Sequence, residues 1–237
     1  MAHHYQFERI IKLQSKKLEN KKIFWDKGTF DYDEQGCTVP RLIAIADEIK
    51  KTGYGNSVLE LGCGLGVLKK ILGKDFEFFG CDISPSVVKL HNTTNTTECD
   101  LDSDSLPFQE KRFNYVVCSG IIEYLADPKK FLRNIARSYG NERCLFLITV
   151  INAAQIQYRF SLLTGHFPKY EPIWINFYSL KDFLALLNEQ GFTVLKYYPL
   201  YCLPFRSQAL SRAVCKLFPS LFAGQFLFIC SSGLHQK

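Results

Sequence analysis

At 237 residues, 47% hydrophobic and 22% charged, the chain is long enough to bury one large core, and nothing in its length requires a second. The net charge of +6 is too small to mark a nucleic-acid binder by itself, and the most apolar stretch, Leu217 to Cys230, is shorter than a bilayer span and holds Pro219, Gly224 and Gln225. Nine cysteines, odd in number and without a C-x-x-C pair, read as buried free thiols with no zinc-like cluster, and the polar Met1 to Arg9 lacks the apolar run of a secretory signal; a cytoplasmic, metal-free protein is expected.

Residues 7–20 and 39–51 carry helical spacing, the second through Leu42, Ile45, Ala46 and Ile49, so 1–56 reads as an N-terminal helical extension or cap before Gly53 and Gly55 break the chain. From 57 to 237 a single domain is expected. Its first unit is a short strand, Val58 to Leu61, a glycine turn, and a helix of Val67, Leu68, Ile71 and Leu72 that stops at Gly73. The unit repeats: Phe76 to Cys81 leads into Asp82, and Ser84 and Pro85 stand as N-cap and first residue of the next helix. In the third copy Phe113 to Cys118 is a strand and Asp127-Pro128 opens a helix with Phe131, Leu132, Ile135, Ala136 and Tyr139 inward.

A strand at Cys144 to Val150 precedes a less regular, ring-rich insertion at 151–178. The capping box Ser179-x-x-Asp182 then begins a helix with Leu180, Phe183, Leu184 and Leu187 inward. Phe192 to Tyr197 and Gln225 to Cys230 are the last expected strands. Nearly continuous apolar runs alternating with helices specify a doubly wound α/β fold, a mostly parallel sheet covered on both faces. Right-handed crossovers put the strand-to-helix turns on one edge, where such folds bind ligands.

The turn Val58-Leu-Glu-Leu-Gly-Cys-Gly-Leu-Gly66 places Gly62, Gly64 and Gly66 where missing side chains let backbone amides approach a ligand. A dinucleotide fingerprint would space them G-x-G-x-x-G, but position 67 is Val. Glu60 would repel a pyrophosphate and attract a ligand bearing an ammonium and a sulfonium; the alternative is a turn cap or an ion pair. Asp82 ends the second strand, where an acid accepts from ribose hydroxyls, or else caps the next helix. Asp100 is placed to accept from an adenine amine while Leu101 packs on the ring, unless Asp100, Asp102 and Asp104 form an exposed acidic loop.

These motifs, VLELGCGLG, CDIS, ECDLDSDSLPF and FNYVVCSGIIEYLADP, in order over about Ser57 to Val150, resemble those of class I S-adenosylmethionine (SAM)-dependent methyltransferases. The resemblance implies a Rossmann-like, seven-stranded methyltransferase fold with SAM as methyl donor and S-adenosylhomocysteine as product. It implies that Gly62, Cys63, Gly64 and Gly66 cradle the amino-acid part of SAM and that Glu60 holds its amine. Asp82, with Ile83 beside it, would grip the ribose, Asp100 and Leu101 would frame the adenine, and Ser119 would line the floor with Gly120. Asn114 and Tyr124 depart from that family's usual Asp and His, which puts a motif histidine base in doubt. More loosely, TVINAAQIQYRFSLLTGHFP and WINFYSLKDF resemble MetW-type proteins, some of which act with an acyltransferase partner.

In-line methyl transfer asks a protein chiefly for alignment and exclusion of water, so a base is optional; Tyr124, His166 and Glu123 are the candidates. Rings of the insertion, Trp174 and Tyr178 foremost, are expected to cover an apolar small-molecule acceptor or else to pack on the sheet's flank. Nucleic acid is disfavoured, since the Asn/Asp-Pro-Pro-Tyr/Phe signature and a Pro-Cys pair are both missing. Two other readings stand beside a small-molecule methyltransferase: an accessory protein that controls a partner enzyme, and a peripheral membrane enzyme that methylates a lipid or quinone. The second draws on residues 198–237, which hold Arg206, Arg212, Lys216 and Lys237, no acid and many apolar side chains.

Overall fold

The computed structural model describes residues 38–91, 93–103, 105–166, 175–202 and 208–232; the expected helix at 7–20 lies outside them, as do Trp174, Asp104 and Arg206. In chain order the described elements are α1 (Thr38–Thr52), β1 (Ser57–Leu61), α2 (Val67–Leu72), β2 (Glu77–Asp82), α3 (Pro85–His91), β3 (Thr96–Glu98), β4 (Tyr115–Cys118), a single 3-10 turn (Ile122–Tyr124), α4 (Pro128–Tyr139), β5 (Leu145–Ile151), α5 (Ile156–Leu163), α6 (Leu180–Glu189), β6 (Phe192–Cys202), α7 (Gln208–Leu217), α8 (Pro219–Phe222) and β7 (Ala223–Ser232).

The strands form one seven-stranded sheet in the order β3-β2-β1-β4-β5-β7-β6. The first five run parallel and β7 is antiparallel to both β5 and β6, so β5 and β6 point the same way. This is the mostly parallel, seven-stranded, Rossmann-like sheet that the sequence resemblance implies. Successive side chains of a strand face opposite sides, so each central strand feeds two cores. Leu59 and Leu61 join Phe131, Leu132 and Phe183 from α4 and α6 on one face. Val58 and Tyr115 join Leu42, Ile45 and Ile49 of α1 and Leu68 and Leu72 of α2 on the other. The helix that sequence places in the N-terminal extension therefore shares a core with the sheet.

Local chemistry sets the helix starts. Asp127 accepts from the amide of Lys130 ahead of Pro128, and the Ser179 hydroxyl accepts from the amide of Asp182. The inner face of α4 is as expected, and that of α6 is broader than expected: Leu180, Phe183 and Leu187 are buried, Leu184 is partly buried and packs against the same core, and Leu186 is buried with them. Leu184 and Leu186 flank the same stripe on either side, so the sheet covers more of the helix than its central row. The insertion contains a regular helix, α5, and β6 and β7 extend beyond their expected ends because they pair along almost their whole length, across a bulge between Val194 and Lys196. One cysteine corrects the reading of free thiols: Cys63, Cys81, Cys99, Cys118, Cys144 and Cys230 are free, but Cys215 is disulfide-bonded.

Tyr115 fastens α1 to the entrance of β1. Its hydroxyl accepts from the amide of Tyr54 at 2.8 Å, donates to the carbonyl of Ile49 at 3.1 Å and meets the Thr52 hydroxyl at 2.9 Å. Tyr115→Phe strips a partner from all three, so we expect roughly 1–2 kcal/mol of lost stability. A chain of this size should then melt several degrees lower, by about 2–4 °C per kcal/mol, in a thermal scan.

Candidate functional site

The parallel strands end at one edge, and the turns after β1, β2 and β4 meet there. Gly62, Gly64 and Gly66 all have positive φ (78°, 47° and 69°), a region that a side chain strains. At Gly62 a Cβ would also lie 2.5 Å from Ile121 Cγ2. The amides of Gly62 and Cys63 donate to the carbonyl of Cys81, that of Gly66 to the carbonyl of Cys63, and that of Gly64 to the Asp82 carboxylate. Four amides of the turn thus bond within the protein, and the glycines let the chain fold tightly against β2. His91, at the end of α3, closes the turn from outside, with Nε2 2.7 Å from the carbonyl oxygen of Gly64. Burial and the charges of Glu60 and Asp82 push the Cys63 thiol far up, which favours its neutral form.

Asp82 holds two turns together. Its Oδ2 accepts from Gly64 at 2.9 Å and its Oδ1 from the amide of Ser84 at 3.0 Å. Burial raises its pKa, while the amides of Ser84, Gly64 and Ile83 pull it back. Ser84 also accepts from the amide of Val87 at 3.3 Å, the cap expected of it.

Glu60 belongs to the face covered by α1, and α1 supplies what sequence did not foresee. Arg41 crosses to the end of β4 and rests on Gly120, whose missing Cβ would stand 2.8 Å from Arg41 Nη1. Among the described residues, Glu60 Oε2, Arg41 Nε and Ser119 Oγ are buried without a hydrogen-bond partner. Such orphaned groups are costly unless a ligand completes them. Burial lifts the Glu60 carboxyl well above the usual carboxylate range; the Arg41 charge opposes this and the Asp82 charge adds to it. A carboxylate, a guanidinium and a hydroxyl at one strand edge complement an α-amino acid zwitterion, whose ammonium suits Glu60 and whose carboxylate suits Arg41. The residues present therefore fit the amino-acid end of SAM.

Asp100 is half-buried in the loop after β3, where its Oδ1 accepts from the amide of Asp102 at 3.0 Å, and Leu101 is buried beside it. Asp102 reaches across to the amide of Ala126 at 2.7 Å, so the acidic loop is tied to the segment after β4. The three base candidates occupy different settings. Glu123 is buried on the 3-10 turn; its Oε1 accepts from the amide of Ile151 at 2.6 Å and its carbonyl from the amides of Ile175 and Asn176. Tyr124 follows it, half-buried, whereas His166 is exposed just beyond α5. Tyr178 packs edge-on against Phe183, 5.2 Å between centroids, and its hydroxyl is pushed up to about 12 by burial and by the charges of Glu123 and Asp127. Tyr178 thus belongs to the flank of the core.

Arg41, His91, Thr149, which accepts from the amide of Gly120 at 2.9 Å, and Asn176, whose Nδ2 donates to the carbonyls of Ile122 and Leu125, were not legible in the motifs. Each arrives from an element distant in sequence.

A family model described as a methyltransferase domain matches residues 10–197. The chain is similar to an uncharacterised protein of Methanocaldococcus jannaschii, 26% identical over 200 residues, 73% of this chain and 76% of the relative. It is also similar to the mitochondrial ubiquinone biosynthesis O-methyltransferase of Homo sapiens, 25% identical over 202 residues, 69% of this chain but only 53% of the relative. Among solved structures, the plantazolicin methyltransferase BamL, determined with a triazolic desmethylPZN analog and S-adenosylhomocysteine, superposes with a TM-score of 0.60 at 13% identity, covering 95% of this chain and 99% of the other.

Proposed function

Because this chain belongs to the methyltransferase-domain family, we propose that it is a SAM-dependent methyltransferase that methylates a small-molecule acceptor by in-line displacement at the carboxyl edge of its sheet. The observation that carries this reading is the trio of orphaned groups, Glu60, Arg41 and Ser119, gathered beside the glycine turn. SAM supplies a methyl group already activated by its sulfonium, so the protein's task is alignment and exclusion of water.

Glu60 holds the ammonium and Arg41 the carboxylate, while Ser119 donates from the floor. Asp82, fixed by two amides, takes the ribose, and Asp100 and Leu101 border the adenine. Gly62, Cys63, Gly64, Gly66 and Ile83 shape the wall around these groups. Glu123 is a positioning residue: its carboxylate holds the end of β5 and its carbonyl holds residues 175 and 176. With Glu123 so engaged and His166 exposed, Tyr124 is the one base candidate left, and the acceptors that fit best are those that need no dedicated base, such as an acidic phenol, a carboxylate or an amine. The human relative's name, an O-methyltransferase, makes oxygen acceptors the first to test.

The experiment is direct. Calorimetric titration with S-adenosylhomocysteine should show one site, and labelled SAM incubated with phenolic and carboxylic acceptors should yield methylated product from the chain alone. Turnover that appears only when a second protein is added would favour the accessory reading instead.

A further inference from the structure

Helix α5 turns its apolar stripe away from the protein. In a surface helix the stripe at i, i+4, i+7 normally faces the core; in α5 no residue is buried, and Ile156, Phe160 and Leu163 hold that spacing in the open, Phe160 66% and Leu163 84% exposed, with Leu162 beside them. A second apolar outcrop stands where α7 meets α8, with Leu217 72% exposed and Phe218 next to it.

The topology brings the two together. Helix α5 follows β5 and α7 follows β6, two strands that point the same way, so both helices leave the edge that holds Glu60, Asp82 and Ser119. Asn152, just before α5, donates from Nδ2 to the carbonyls of Ser220 and Ala223 at 3.0 and 2.8 Å and ties the two regions. Neither 151–166 nor 208–222 contains an Asp or Glu, while Arg159 and Lys216 are exposed among the apolar side chains. Large exposed apolar side chains interleaved with cations and free of carboxylates suit the headgroup region of an anionic bilayer. The chain's own N-terminal stretch is a poor occupant on charge, because residues 9–22 carry six basic residues and one acidic one. Among the described residues no helix is long and apolar enough to cross a membrane, so attachment would be peripheral.

We propose that the face formed by α5 and the α7–α8 junction docks the protein on an anionic lipid surface, with the cofactor edge of the sheet turned toward the bilayer. Docking itself does not depend on methyl transfer. Its consequence for the acceptor, that it is apolar and drawn from the lipid phase, rests on the function proposed above.

The test is co-sedimentation of the full chain with vesicles of phosphatidylcholine alone or with about one-third phosphatidylglycerol, at low and high salt. Binding should require the anionic lipid, weaken with salt, and fall about tenfold or more in Phe160→Glu/Leu163→Glu and in Lys216→Glu/Leu217→Glu. Both variants should keep the affinity for S-adenosylhomocysteine, which reports folding separately and identifies a failure of the enzyme reading by itself. Equal sedimentation with both vesicle types, none with either, or wild-type binding by both variants overturns the proposal. So does a concentration-dependent dimer that Phe160→Glu/Leu163→Glu abolishes, since a second copy would then be the occupant.

Discussion

Glu60→Gln is expected to raise the melting temperature of the ligand-free protein at neutral pH and to weaken its hold on SAM by about 10- to 100-fold, the loss of one charge-assisted hydrogen bond of roughly 1.5–3 kcal/mol. Both effects come from a buried carboxyl whose pKa is raised, first by burial, with the Arg41 charge only partly offsetting it. Over the pH range between the ordinary carboxylate value and the raised one, the folded chain keeps a proton that the unfolded chain has released. Folding stability must then fall as pH rises through that range. Below it both states are protonated, so Glu and Gln behave alike. Thermal scans from pH 4 to pH 8 should therefore show wild type losing stability relative to Glu60→Gln as pH increases.

Ligand binding has the opposite sign. An ammonium favours the ionised carboxyl, so affinity for S-adenosylhomocysteine should rise with pH in wild type and stay nearly flat in Glu60→Gln. A variant whose affinity and pH dependence both match wild type would show that Glu60 does not meet the amine.

Asp82→Ala is expected to be the most damaging single change at the site. It removes the acceptor of two backbone amides, Gly64 and Ser84, and with them the side-chain tie between the glycine turn and β2, leaving only the backbone bonds of Gly62 and Cys63 to the Cys81 carbonyl. Two amides left without a partner at a partly buried position cost roughly 2–4 kcal/mol, which at about 2–4 °C per kcal/mol is a large fall in Tm. Affinity for SAM should drop by about 100-fold or more, since the turn loosens and the ribose loses its acceptor together. Asp82→Asn separates the two causes. Its one remaining carbonyl oxygen can keep a single amide, so stability should recover in part while affinity stays low. If Asp82→Asn instead binds S-adenosylhomocysteine as wild type does, the carboxylate serves the turn alone.

The motif chemistry around Gly62, Asp82 and Ser84 was legible in sequence because it is local: a tight turn needs positive φ within a few residues, and a cap reaches only two or three residues ahead. The inner face of α4 was legible for the same reason, since a 3.6-residue period is a property of the helix itself. Position within a motif was not enough for Glu123. It sits where a base is plausible, yet its carboxyl is engaged by an amide from β5, twenty-eight residues away.

The amino-acid sequence by itself determined the strand, turn and helix units, the doubly wound fold and the glycine turn with its two flanking carboxylates, because periodicity, capping and backbone sterics act over short stretches of chain. Tertiary structure alone decided that Arg41 stands over Gly120 beside Glu60, that the amides of the glycine turn bond within the protein, and that the stripe of α5 faces outward. Each of these depends on which elements the sheet order makes neighbours, and non-local pairing leaves no mark on the residues between them.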